Sequence, residues 1–352
     1  MRTTKKRRVL KIGVLGAGGI ASRRTIPALR GSSVCRVVAV MDPVDPEAIA
    51  ARFRIPRAYE REEELLADPE VEAVYIASPV QHHARQIEWC ALAGKDVLCE
   101  KPLCRTAAEA ARAAAACRRA GVILQEGYMM KFHGAHEKVK ELIDRGALGK
   151  LVYLRAQLSC WYPRIEGAWR QDPRLGGGGA LIDMATHLYD LLEHFAGPVR
   201  WVAARTGNLV QAYRSEDAST TLLEFRSGAL ATVDCFFSIP DEASRTRLEV
   251  YGSAGAVLSE GTIGQGSGGK LEGIFGLGEA GYEAAQRKDV APRFRRIPYE
   301  RVDPYRAEFE SFAEHVFRDE EPTWNGPRNA VRVLRIAEAA YASAASGRAV
   351  RV

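Results

Sequence analysis

The strongest constraint on the fold lies near the start of the chain. There the apolar run Lys11–Leu15 opens into Gly16-Ala17-Gly18-Gly19-Ile20-Ala21, and a helical pattern continues to Leu29. In a G-x-G-x-x-A turn between strand and helix, the first glycine permits the tight turn and the second lets backbone approach a pyrophosphate. The small Ala21 lets helix and strand pack closely, and the helix N-terminus faces the anion. Glycine turns after strands are common, so the motif gains weight from its surroundings. Asp42 ends a second apolar run, Arg36–Met41, 24 residues beyond Gly18; a ribose-binding acid is expected about 20 residues on. A carboxylate there accepts hydrogen bonds from the ribose 2′-hydroxyl and repels a 2′-phosphate. No base stands among Pro43, Val44 and Asp45. NAD is therefore expected over NADP, with Gly16, Gly18, Gly19, Ile20 and Asp42 as cofactor contacts. The alternative for Asp42 is a strand-ending turn residue before proline.

Further apolar runs follow at Val71–Ala77, Lys95–Cys99 and Val122–Gln125, with an Ala-rich helix at Thr106–Ala120. Continuous apolar strands separated by helices predict a parallel sheet covered on both faces, a doubly wound α/β fold. After about Gly127 the pattern changes. A helix at Ala135–Arg145 leads into strand candidates Val152–Leu158, Trp201–Ala204, Ser219–Phe225, Ala229–Phe237 and Arg245–Tyr251. Arg226-Ser227-Gly228 reads as a hairpin turn, as in an antiparallel sheet. A helix is expected over Ala180–Phe195, a long loop over Gly261–Gly281, and two closing helices over Tyr305–Phe317 and Arg328–Ala345. The 352 residues suit two domains: a nucleotide-binding domain, 1–127, and a sheet-rich α/β domain, 128–352.

Charge and cysteines narrow the setting. The net charge is +6, from 50 Lys and Arg against 44 Asp and Glu. Arg2, Lys5, Lys6, Arg7, Arg8 and Lys11 account for that excess, so the rest of the chain is balanced. A solvated tail explains the cluster more simply than a nucleic-acid arm. Lys11 interrupts the apolar stretch that would imitate a secretion signal, and no run approaches the roughly 18 apolar residues of a membrane span. The seven cysteines are scattered, without a C-x-x-C pair, which suits a reducing cytoplasm.

Two segments carry candidate chemistry. Glu100-Lys101-Pro102 ends an apolar strand of the nucleotide domain, where ligands sit in doubly wound sheets. Lys101 is placed to hydrogen-bond a substrate oxygen and stabilise alkoxide character; a surface turn capped by Pro102 is equally consistent. The second segment runs from Gly176 to His187. In a helix beginning near Ala180, Asp183 and His187 are i,i+4 and share a face, and histidine suits proton transfer near neutral pH. An incidental Asp/His pair reads the same way. The preceding glycines leave room for a ligand or for another backbone. Trp161 is a candidate sugar-stacking residue beside Tyr162, with packing as the alternative. His133 and His136 are spaced i,i+3 without a third ligand, so no metal is expected.

Taken in order, Gly16–Ala21, Ser78-Pro79-Val80-Gln81-His82-His83, Glu100-Lys101-Pro102, Trp169-Arg170 and Gly177–His187 resemble the glucose–fructose oxidoreductase / inositol dehydrogenase (Gfo/Idh/MocA) family. The resemblance spans nearly the whole chain. It implies a Rossmann domain followed by an α/β domain whose large, mainly antiparallel open sheet forms dimers or tetramers. It also implies hydride transfer between nicotinamide and a hydroxyl or carbonyl carbon of a sugar, sugar derivative or cyclitol. Lys101, Asp183 and His187 would be catalytic and touch substrate; Ser78, Pro79, His83, Glu100, Lys101, Trp169 and Arg170 would contact cofactor. Val80 and Lys131 depart from the Asn and Arg of many members, which bears on substrate preference. Two other activities use the same residues or fewer of them: redox-neutral glycoside cleavage through transient sugar oxidation, and NAD sensing without catalysis.

Overall fold

The structure, a computed structural model, describes residues 8–277 and 293–352. Most of the expected basic tail, and the end of the expected Gly261–Gly281 loop, lie outside the described residues. The chain forms two compact units. One comprises the chain up to Met129 with Pro173–Gly177 and Tyr305–Arg335; the other comprises Met130–Asp172, Gly178–Pro304 and Ile336–Val352.

Six strands build the first unit: β1 (Leu10–Leu15), β2 (Cys35–Met41), β3 (Arg57–Tyr59), β4 (Ala73–Ile76), β5 (Asp96–Glu100) and β6 (Leu124–Gly127). They pair in parallel in the order β3-β2-β1-β4-β5-β6. The order reverses between β1 and β4, so their C-terminal ends flank the switch point at which such sheets bind ligands. The apolar runs are continuous because the sheet is covered on both sides: Ile12, Val14, Val40, Val74 and Leu98 are all buried. The helix Pro304–Arg318 adds Phe309, Phe312 and Ala313 to this core, and Tyr75 meets Phe309 edge-on at 4.9 Å. Each of the two phenylalanines contributes about 1.5–3 kcal/mol through burial. The helix Ala107–Ala120 has Thr106 at its start, accepting a hydrogen bond from the Glu109 N–H, and Gly121 in a left-handed conformation at its end.

Among the described residues the second unit has nine strands: β7 (Leu151–Ser159), β8 (Val199–Gly207), β9 (Ala218–Phe225), β10 (Leu230–Phe236), β11 (Arg247–Gly252), β12 (Gly255–Glu260), β13 (Lys270–Phe275), β14 (Arg295–Arg296) and β15 (Val350–Arg351). Their order is β14-β13-β12-β11-β7-β10-β9-β8-β15, and the β7–β10 pairing alone is parallel. The alternation of β7, β10 and β11 puts Leu154, Ala156, Val233 and Val250 on a buried face. The wide turn Leu181–Ala185 and the helix Thr186–Ala196 that continues it pack against this sheet. Tyr153, Arg155, Gln157, Thr232 and Glu249 line the opposite, open face. The β9–β10 hairpin turns at Gly228 (φ +87°), with the Phe225 N–H bonded to the Ala229 carbonyl.

One expectation is corrected. The glycine-rich stretch after Gly261 is not loop throughout, because β13 lies within it and pairs with β12 along its length. The glycines mark turns at Gly261, Gly264 and Gly269, all with positive φ. Among the described residues no helix is long and apolar enough to cross a membrane.

Candidate active site

In the first unit the sequence-predicted residues converge at the C-terminal ends of the strands. Gly16 follows β1 with φ +79°, and a Cβ there would lie 2.6 Å from the Ser78 nitrogen and 2.7 Å from its Cα. Only glycine fits, since both the backbone angle and the close approach to Ser78 exclude a side chain. The Gly18 N–H donates to Asp42 Oδ2 at 2.7 Å, and the Val44 N–H donates to Asp42 Oδ1 at 3.0 Å. Asp42 is thus held against the glycine turn at the end of β2. A Cβ on Gly19 would meet nothing within 4 Å, so the turn is open on that side. This cradle fits a dinucleotide pyrophosphate.

A second group surrounds the Glu100–Pro102 turn after β5. The Tyr75 hydroxyl donates to Glu100 Oε1 at 2.6 Å, the Lys101 N–H to Glu100 Oε2 at 3.3 Å, and the Leu103 N–H to Glu126 Oε1 at 2.7 Å. The Lys101–Pro102 peptide is cis. His83 is buried between two strand ends, with Nε2 2.8 Å from the Ser78 carbonyl oxygen and Nδ1 3.1 Å from that of Pro102. A neutral imidazole donates from one nitrogen only. Burial nevertheless pushes this group down to about 4, outweighing the two carbonyls that favour protonation. His83 therefore links the loops carrying Ser78–Pro79 and Lys101–Pro102.

In the second unit, Arg170 Nε donates to Asp183 Oδ1 at 3.0 Å while its guanidinium lies 4.0 Å over the Trp169 ring. Tyr162 joins them: burial raises its hydroxyl pKa, and Arg170, which hydrogen-bonds to that hydroxyl, opposes the shift. Tyr162 is packed against Phe237 at 5.0 Å and Tyr213 at 6.4 Å. Trp161, by contrast, is 42% exposed, with its backbone N–H donating to Asp241 Oδ1. Asp183 lies in the wide π-type turn Leu181–Ala185, and His187, buried, follows in the helix. Turns of this kind recur at functional sites. Three residues beyond His187, Asp190 forms a 2.7 Å ion pair with Lys131, both side chains almost wholly buried.

His133 and His136 are occupied elsewhere. His133 Nδ1 accepts from the Ala135 N–H, and its Nε2 lies 3.0 Å from the Gly268 carbonyl oxygen. His136 lies 2.7 Å from the Met130 carbonyl oxygen and 3.1 Å from Thr262 Oγ1.

Three participants have no local signal in the sequence. The Glu216 carboxylate accepts from the N–H groups of Gly179 and Leu181 and from the Tyr341 hydroxyl, although Glu216 and Tyr341 stand 125 residues apart. Tyr75 reads in sequence only as part of a strand, because its partner Glu100 comes from a later one. Such pairings are set by topology, so no spacing rule finds them.

Comparison with known proteins agrees with this geometry. Residues 10–128 match the model of an oxidoreductase family with an NAD-binding Rossmann fold, and residues 136–258 match the GFO/IDH/MocA C-terminal domain. The chain is 31% identical over 345 residues to a D-xylose 1-dehydrogenase (NADP(+)) of Haloferax volcanii, covering 97% of this chain and all of that protein. It is 29% identical to the scyllo-inositol 2-dehydrogenase (NAD(+)) of Bacillus subtilis, over 71% of this chain and 73% of that one. In fold it matches an aldose–aldose oxidoreductase from Caulobacter crescentus with a TM-score of 0.86 at 24% identity, covering 98% of this chain and all of that one.

Proposed function

Because the chain belongs to the Gfo/Idh/MocA family of oxidoreductases, we propose that it transfers a hydride between NAD and a hydroxyl- or carbonyl-bearing carbon of a sugar or cyclitol. The observation that carries this reading is the Asp183 carboxylate, held by Arg170 in the turn that leads to His187. The bound nicotinamide supplies the hydride acceptor or donor. In oxidation His187 takes the hydroxyl proton and Asp183 orients the substrate through a hydroxyl, while Lys101 hydrogen-bonds a substrate oxygen as alkoxide character develops. Gly16, Gly18 and Gly19 bring backbone to the pyrophosphate, with Ile20, Ser78, Pro79, His83, Glu100 and Trp169 completing the cofactor contacts. NAD is favoured over NADP because a carboxylate at the end of β2 repels a 2′-phosphate. The D-xylose and scyllo-inositol dehydrogenases among its relatives differ in cofactor, so that choice rests on Asp42.

The free cysteines suit a reducing cytoplasm. The open sheet face carries both charges, with Arg155 beside Glu249 at 3.5 Å. A second copy related by two-fold symmetry would meet it with complementary charges, so we assign a homodimer or homotetramer through this face. Light scattering tests it: a monomer at micromolar concentration overturns the assignment.

The activity is tested by following NADH formation with D-xylose, D-glucose, myo-inositol and methyl glucosides. Turnover on one class is expected, with loss in Lys101→Ala and His187→Ala at retained NADH binding. Full turnover in Lys101→Ala removes the catalytic assignment. Aglycone release without bulk NADH moves the reading to redox-neutral cleavage.

A further inference from the structure

The four glycines before Asp183 leave space that is filled by protein. A Cβ on Gly179 would stand 2.0 Å from the Glu216 carbonyl oxygen, and one on Gly178 would stand 1.9 Å from the Tyr341 hydroxyl. Into this space Glu216 places both its polar groups. Its carbonyl accepts from the Ala180 N–H at 3.0 Å. Its carboxylate accepts from the Gly179 N–H at 2.9 Å, from the Leu181 N–H at 3.0 Å and from the Tyr341 hydroxyl at 2.8 Å. The first N–H groups of a helix have no partner within it. Here three successive ones are taken by a single residue from just before β9, and its charge complements the positive helix end. Tyr341 sits in the helix Pro327–Ser346. Burial and the neighbouring carboxylate hold its phenol well above the usual range, so it remains a donor. The wide turn bearing Asp183 begins where this clamp ends.

We infer that Glu216, braced by Tyr341, is a positioning residue that sets the placement of Asp183 and His187. The inference rests on the proposed roles of those two residues. A clamp at the origin of a turn transmits displacement to everything after it, and a misplacement of about 1 Å can cost about 10²-fold in rate.

The test uses the full-length protein with Glu216→Gln and Tyr341→Phe. Glu216→Gln is nearly isosteric: an amide oxygen at the Oε1 position keeps the Leu181 and Tyr341 bonds while the charge is lost. Three quantities are measured: kcat and KM per NADH-binding site, on whichever of D-xylose, D-glucose and myo-inositol the parent oxidises fastest; NADH affinity; and amide exchange over residues 179–187. In Glu216→Gln, kcat is expected to fall on the order of tenfold, with NADH affinity unchanged and faster exchange through His187. Tyr341→Phe is expected to show the same split more weakly. Parental kcat overturns the inference even if exchange rises, because the clamp is then structural only. Parental exchange in both variants overturns it even if no sugar in the set is turned over. Full activity in His187→Ala instead marks failure of the proposed catalytic roles, whatever the clamp does.

Discussion

Gly16 admits no side chain, for two independent reasons. Its left-handed backbone costs a non-glycine residue about 1–2 kcal/mol, and an added methyl group would collide with the backbone of Ser78. Gly16→Ala is expected to destabilise the protein by at least about 2 kcal/mol and to weaken NADH binding; thermal melts and fluorescence titration check the two effects separately. Unchanged NADH affinity would mean that the turn does not cradle the cofactor. Asp42 makes a different prediction, because it combines structure with selectivity. Asp42→Ser gives up charge and one of the two N–H bonds to Gly18 and Val44. The ratio of kcat/KM for NADP over NAD should rise on the order of tenfold, equivalent to about 1.4 kcal/mol. An unmoved ratio assigns Asp42 to the turn alone.

Lys131 and Asp190 join the turn Met129–Phe132 to the helix Thr186–Ala196, one on each element. Removing one partner leaves a buried charge uncompensated, so Lys131→Met should cost about 3–5 kcal/mol, while Lys131→Met with Asp190→Leu should recover much of it. Chemical denaturation of the two variants decides this, and equal losses would exclude a charge penalty. Elements of this kind show how far the sequence could be read. Five of the six strands of the first unit were visible because parallel strands buried on both faces leave runs such as Val37-Val38-Ala39-Val40; β3, three half-buried residues at the sheet edge, leaves no such run. The β9–β10 hairpin was visible in its turn. β13 was not: Lys270-Leu271-Glu272-Gly273-Ile274-Phe275 alternates weakly inside a glycine-rich stretch, and its pairing with β12 supplies what propensity lacks. Asp183 and His187 were legible from spacing only as a pair on one helix face; the roles proposed for them come from the family resemblance. Arg170 was legible as a residue, but its bond to Asp183 was not, and Glu216 required the folded chain.

Several buried histidines make the whole molecule sensitive to acid. Burial holds His83 at about 4 and His136 at about 3, against 6.5 for an unhindered imidazole. With the folded value depressed, the unfolded chain binds protons first as pH falls. Stability is therefore full above about pH 6.5 and is lost between there and the folded values, by about 1.4 kcal/mol per pH unit for each group. His136→Gln should remove about one proton's worth of that slope between pH 6 and 4.5 in denaturation curves; an unchanged slope would refute the linkage. The first unit carries another consequence of its construction. The Gln125 amide donates to the Glu308 carbonyl, the Glu126 N–H donates to the Asn325 carbonyl, and Phe309 and Phe312 complete the core of the first sheet. Residues 1–130 expressed alone should melt without a cooperative transition, a result calorimetry can contradict. In the cell, those partners leave the ribosome only after residues 178–304 have been made. The first sheet must therefore wait for its last pieces until most of the second unit has been made.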